Sequence, residues 1–186
     1  PPSPMIGCVG KLEKASSAVT PGFKKEKSVI LHVGDMAGAM GGSVYHDVIG
    51  EDCGNMPTVG FAEFGVEVNA ITDLIAEGKV QACKSIGPGG LATALSLMCF
   101  HGDYECRVWV NSSLRKDALL FSESVGFLLE VTKEESEAVE AFLKSKHVKF
   151  DKIGETVAVG DCEIQGVRLP NMSDLKQAWA TSLENL

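Results

Sequence analysis

The chain has 186 residues, with 17 Lys and Arg against 25 Asp and Glu for a formal charge of −8, and 45% of its residues are hydrophobic. That length fits one domain with some trimmings, and the hydrophobic share suits a packed core and excludes a disordered chain. The acidic balance, with scattered basic residues, argues against nucleic acid or an anionic membrane as partner, since phosphate surfaces need clustered Lys and Arg. No apolar stretch approaches the ~20 residues of a membrane span and no signal peptide opens the chain, so a cytoplasmic location is expected.

Pro1-Pro2-Ser3-Pro4 reads as the cut end of an inter-domain linker. Met5 to Leu12 is apolar and β-leaning, which predicts an opening strand, followed by a loop through Thr20-Pro21-Gly22. Ser28 to Val33 is a short apolar run ended by Gly34-Asp35, the pattern of a buried strand. Val66, Val68, Ile71, Leu74 and Ile75 recur at helical spacing over residues 66–77, with Gly78 as the stop. Residues 80–83 predict a brief strand, and the nearly all-apolar run 91–100 predicts a helix packed on more than one side. Residues 105–110 and 127–131 read as strands. Thr132, with Glu134 and Glu135 behind it, reads as the cap of a helix to about Ser145. Residues 150–159 and 162–167 read as a hairpin around Gly160-Asp161, and Ser173 as the cap of a last helix. Interleaved strands and helices predict a layered α/β or α+β domain. The division expected is 1–27 linker and opening strand, 28–168 domain, and 169–186 a helix packed on it.

Glycine is over-used, at 20 residues, and two clusters lie at strand-to-helix junctions. The first runs from Gly34 to Ser43 and contains Gly41-Gly42-Ser43; the second, from Ser85, contains Gly87, Gly89 and Gly90. Amides at a helix start can cradle an anion, but no Lys precedes Ser43 as a P-loop requires, and neither cluster is G-x-G-x-x-G. Tight turns and close packing are the plainer reading of both clusters. Ser122-Glu123-Ser124 places a carboxylate between two hydroxyls, suited either to a ribose or amide donor or to capping backbone groups. The six cysteines, Cys8, Cys53, Cys83, Cys99, Cys106 and Cys162, form no C-x-x-C pair. Buried reduced thiols are therefore expected, with no disulfide framework, no zinc spacing and no Cys/His nucleophile at His101.

Five pieces in order resemble the large subunit of phosphoribosylformylglycinamidine synthase. They are Pro4-Met5-Ile6-Gly7 with Ala18-Val19-Thr20, then Gly41-Gly42-Ser43-x-Tyr45, Gly89-Gly90-Leu91-Ala92, Leu120-Phe121-Ser122-Glu123-Ser124, and Ile153-Gly154-Glu155. The resemblance is to the second-half C-terminal domain, in the superfamily of aminoimidazole ribonucleotide synthetase. It implies an α+β fold, a layered mixed β-sheet with packed helices. It also implies a parent ligase of purine biosynthesis that uses ATP and magnesium to turn formylglycinamide ribonucleotide and ammonia into the amidine, ADP and phosphate. The implied partners are the N-terminal ATP-binding half of the same subunit, a glutaminase and small accessory subunits. Where that family usually shows His-Asp-x-Ser-Asp before the Gly-Gly, this chain has Lys84, Ser85, Ile86, Gly87 and Pro88; the first loop has Met36 to Met40 in place of charges.

The glycines are kept and the charges are lost. The expectation is a structural copy without catalytic residues, metal or cofactor of its own. Its weak candidates for phosphate or nucleotide are Gly41, Gly42, Ser43, Gly87, Gly89, Gly90, Glu123 and Ser124. The alternatives are an auxiliary nucleotide or phosphate domain, or the C-terminal domain of another superfamily member such as selenophosphate synthetase. An apolar face left open by the missing half would favour a homodimer.

Overall fold

The structure, a computed structural model, describes residues 7–12, 14–51, 54–169 and 171–181. The strands are β1 (Val29–Gly34), β2 (Ala82–Ser85), β3 (Glu105–Val108), β4 (Gly126–Val131), β5 (Phe150–Val157), β6 (Glu163–Ile164) and β7 (Val167–Arg168). The α-helices are α1 (Val44–Ile49), α2 (Phe61–Ala76), α3 (Gly90–Phe100), α4 (Lys116–Phe121), α5 (Ser136–Ser145) and α6 (Met172–Ala180). The strands form one seven-stranded mixed sheet in the order β2-β4-β1-β5-β3-β6-β7. Neighbours run antiparallel except for β3 and β6, which are parallel.

β1 is buried along its whole length because it lies mid-sheet with helices on both faces. Its side chains alternate. Val29, Leu31 and Val33 join Ala70, Ile71 and Leu74 of α2 and Val139 and Leu143 of α5 in one core. Ile30 joins Leu91, Leu95 and Met98 of α3 and Leu119 of α4 in the other. The apolar run of α3 is thus explained, since it lies between the sheet, α4 and α6. α6 is seated on α3 by Met172, by Trp179 tilted against Phe100 at 6.4 Å, and by Lys176 donating to the Phe100 carbonyl at 3.1 Å.

The segment before β1 is tied into the sheet. Phe23 is wholly buried in the α3-side core, and the amides of Lys24 and Lys25 donate to the two oxygens of Glu130 at 2.8 and 2.9 Å. Burial pushes the Glu130 carboxyl up, and these amides pull it back down.

Four local expectations are corrected. Residues 7–12 form no strand, and the segment's regular structure is a single 3₁₀ turn at Ala15–Ser17; Met5 and Ile6 lie outside the described residues. The hairpin is not at Gly160-Asp161. β5 pairs with β1 and β3, and the hairpin joins β6 to β7 through Gln165 and Gly166, both at positive φ (56° and 77°). A two-residue turn with both central residues at positive φ matches strand twist, which favours that position. The cap of α6 is Asn171, whose side chain accepts from the Ser173 amide, and α5 begins at Ser136 after a turn in which the Thr132 carbonyl accepts from the Glu135 amide. α1 and α4 are additional short helices in stretches read as loop or apolar run.

Candidate functional site

The glycine clusters and the Ser-Glu-Ser run meet at one point. Glu123, between α4 and β4, reaches across both junctions. One of its oxygens, Oε1, accepts from the Val44 amide at 2.8 Å and from the Gly89 amide at 2.9 Å. Tyr45 stacks on Phe121 with ring centres 4.9 Å apart, which fixes α1 against α4. An internal carboxylate therefore occupies the place at the starts of α1 and α3 where an external anion would sit.

Three neighbouring candidate amides are also used by the protein. Gly41 donates to the Asn55 carbonyl at 2.9 Å, Ser43 to Met40 at 3.2 Å, and Gly90 to Gly87 at 2.9 Å. Ser43 is buried, and its hydroxyl caps α1 by accepting from the His46 amide. Gly42 lies at φ 69° and opens the turn into α1. Ser124 is buried, with its hydroxyl 3.5 Å from that of Ser122. Gly90 cannot be replaced without displacement. At φ 69°, an added Cβ would lie 2.7 Å from the Phe121 carbonyl carbon and the Ser122 oxygen. Gly90 thus lets the start of α3 approach the end of α4.

A magnesium–phosphate group fits this junction poorly. Mg²⁺ gathers several oxygen ligands; here both amides bind Oε1 of Glu123, which leaves Oε2 as that side chain's open oxygen, and the end of β2 offers Lys84 and Ser85 in place of carboxylates.

A cleft of about 690 Å³ opens nearby, on the other side of Ser124. Asp35, Glu63 and Glu67 line it with Lys146, Lys149, Phe64 and Val66. The Glu67 carboxyl is pushed up by burial first, then by Asp35 and Glu63. Lys149 pairs with Asp35 at 3.3 Å. This volume is in the range of small-ligand sites, but the acids repel phosphate. Beneath the end of β1 lies His32, its imidazole pKa lowered to about 4 by burial against the opposing pull of Asp151 and Asp35. Sequence reading missed the cleft, because its residues come from the loop after β1, the start of α2, the turn before β4 and the turn before β5 and share no motif.

It also missed a convergence of thiols. Among the described residues, Cys99, Cys106 and Cys162 are the one group of three or more His, Cys, Asp or Glu side chains whose ligand atoms lie close enough to share an ion. Cys8 is exposed, Cys83 half-buried, and Cys53 lies outside the described residues.

Residues 25–167 match the family described as AIR synthase related protein, C-terminal domain. The chain belongs to that family. Within it, the chain is 29% identical over 191 residues to the phosphoribosylformylglycinamidine synthase subunit PurL of Alkaliphilus metalliredigens, covering 100% of this chain and 26% of that protein. It is 34% identical over 155 residues to the PurL of a Thermoanaerobacter species, covering 82% of this chain and 21% of that protein. The chain thus spans about a quarter of the length of these curated relatives. Thermotoga maritima PurL structures complexed with FGAR and with ATP share the fold at TM-scores of 0.69 and 0.65, each at 17% identity and over 87% of this chain, which covers 30% and 28% of those chains. The layered mixed sheet expected from the sequence is the family's fold. Among the described residues, no helix is long and apolar enough to cross a membrane.

Proposed function

We propose that this chain is a structural, non-catalytic C-terminal copy within a larger ATP-dependent ligase of the phosphoribosylformylglycinamidine synthase type. Family membership and the PurL relatives support the parent role in purine synthesis. One observation supports the non-catalytic assignment: Glu123 fills the cradle between α1 and α3 with a carboxylate of the protein's own. An enzyme that binds phosphoryl oxygen at helix starts needs those amides free at the moment of transfer. In such a parent, the ATP-binding half, with its magnesium, performs the amidation, and this domain supplies a rigid wall to it. Glutaminase and small accessory subunits complete the assembly, in the cytoplasm. Phe61, 84% exposed at the start of α2, lies in sequence between the cleft residues Gly60 and Ala62 and suits the face toward that half.

Isothermal titration of the chain with ATP, ADP and inorganic phosphate tests this reading. The expected dissociation constants are weaker than ~100 µM, about −5.5 kcal/mol, with no amidine formed when ammonia and formylglycinamide ribonucleotide are supplied. Binding tighter than that, or any turnover, would overturn it and favour an auxiliary nucleotide site.

A further inference from the structure

Three elements distant in sequence bring three sulfurs together. Cys99 sits in the last turn of α3, Cys106 is the second residue of β3, and Cys162 immediately precedes β6. The parallel register Arg107↔Glu163 and Val108↔Ile164 sets Cys106 beside Cys162 by extension. Both thiols face the α3 side, with Val108 and Ile164, and α3 lowers Cys99 onto them. Cys106 Sγ lies 3.9 Å from Cys99 Sγ and 3.9 Å from Cys162 Sγ, and all three atoms are within 4.8 Å of one another. All three residues are buried.

The edge length is informative. Zinc bonded to sulfur at about 2.3 Å in tetrahedral geometry sets its ligands about 3.8 Å apart. Two edges of the triangle are already near that value without an ion, and a rotamer adjustment closes the third. We propose that Cys99, Cys106 and Cys162 form a three-sulfur site for a thiophilic metal ion, zinc in the first place. Thiolate ligands select zinc and Cu(I) among the common ions. Charge favours zinc: three thiolates around Zn²⁺ leave a net −1, whereas Cu(I) leaves −2 in an apolar surrounding that penalises charge. The Lys176 ammonium, in the adjoining cleft, is the nearby cation.

The surroundings provide the other parts of a site. A cleft of about 180 Å³, lined by Cys99, Glu105 and Met172, reaches the cluster at Cys99 and gives the ion a way in from that side, with Cys106 and Cys162 buried behind it. Glu105 Oε2 accepts from the amides of Gly160 and Cys162 at 2.9 and 3.0 Å, which fixes the loop that carries Cys162. Glu105 is therefore a positioning residue. As zinc enters, three S–H bonds give way to three Zn–S bonds, three protons leave to solvent, and no oxidation state changes.

The test uses the full chain with Cys8, Cys53 and Cys83 replaced by Ser, so that only the triad remains. Zinc is titrated in competition with a chromogenic chelator, and X-ray absorption is recorded at the zinc edge. The expected result is one zinc per chain with sulfur neighbours at about 2.3 Å. C106S and C162S should each weaken binding at least about 100-fold, and E105Q, which loosens the Cys162 loop, about 10-fold. Far-UV circular dichroism checks folding. C99S, at the rim of the cleft, serves as the ligand variant if the interior ones fail to fold. Fewer than one zinc per ten chains, an absorption spectrum without sulfur, or unchanged affinity in a folded C99S would overturn the proposal.

Discussion

Replacing Glu123 by Ala tests the internal carboxylate directly. Hydrogen bonds to a charged group contribute about 1.5–3 kcal/mol when shielded from water. The bond from Gly89, at 2.9 Å, is half-buried, and that from Val44, at 2.8 Å, is exposed. About 2 kcal/mol for the first and about 1 for the second give an expected loss near 3 kcal/mol. Glu123→Gln, which keeps an acceptor without the charge, should lose about half of that. Urea unfolding followed by circular dichroism measures both. The variant also carries a second signature, because the two freed amides can take an external anion. An anion bound with a dissociation constant of about 10 mM would restore about 1.4 kcal/mol at 100 mM phosphate. The gain must be counted against the unmodified chain in the same salt, since phosphate stabilises folded proteins generally. A Glu123→Ala chain within 0.5 kcal/mol of the original, or one no more responsive to phosphate than the original, would refute the reasoning.

Gly90→Ala should cost about 3 kcal/mol or more in the same unfolding assay, because a Cβ at φ 69° meets the backbone of Phe121 and Ser122 at 2.7 Å. His32 predicts an acid-sensitive fold. Its pKa falls from 6.5 unfolded to about 4 folded, so between those values the unfolded chain binds the extra proton. Stability is full above pH 6.5 and drops by about 3 kcal/mol on acidification toward pH 4; His32→Gln should flatten that slope in urea titrations run at stepped pH. The exposed apolar side chain of Phe61 should drive self-association of the chain on its own, with Phe61→Glu shifting light-scattering mass toward the monomer; equal masses at high concentration would count against that face.

The long two-sided elements were legible because burial on both faces leaves a continuous apolar run. β1 and α3 are such cases, and both formed within a residue or two of the expected bounds. The hairpin was misplaced because Gly160-Asp161 has the composition of a turn, whereas Gln165-Gly166 has its geometry. The side chain of Gln165 adds to that geometry by pairing with both the amide and the carbonyl of Val110 at 2.8 Å. The opening strand failed for lack of a partner. Among the described residues before β1, Thr20 alone makes an isolated bridge, to Ala82, and Val9 and Leu12 stay exposed. At the candidate site, residue types pointed to Glu123 and to the glycines, but not to the fact that one carboxylate oxygen serves both loops. The thiol triad was illegible for a different reason: its register depends on a parallel pairing between β3 and β6, which local spacing does not encode.

The place of β1 in the sheet has a consequence for how the protein is made. Of the seven strands in this sheet it is synthesised first, yet both of its neighbours come late, β4 at residues 126–131 and β5 at residues 150–157. At roughly 5–20 residues per second on the ribosome, the segment Val29-Ile30-Leu31-His32-Val33 waits on the order of 5–20 s for a partner. An unpaired apolar strand is a template for pairing with other chains. A nascent chain stalled before β4 should therefore be bound by chaperones, and release from them should coincide with the emergence of β5.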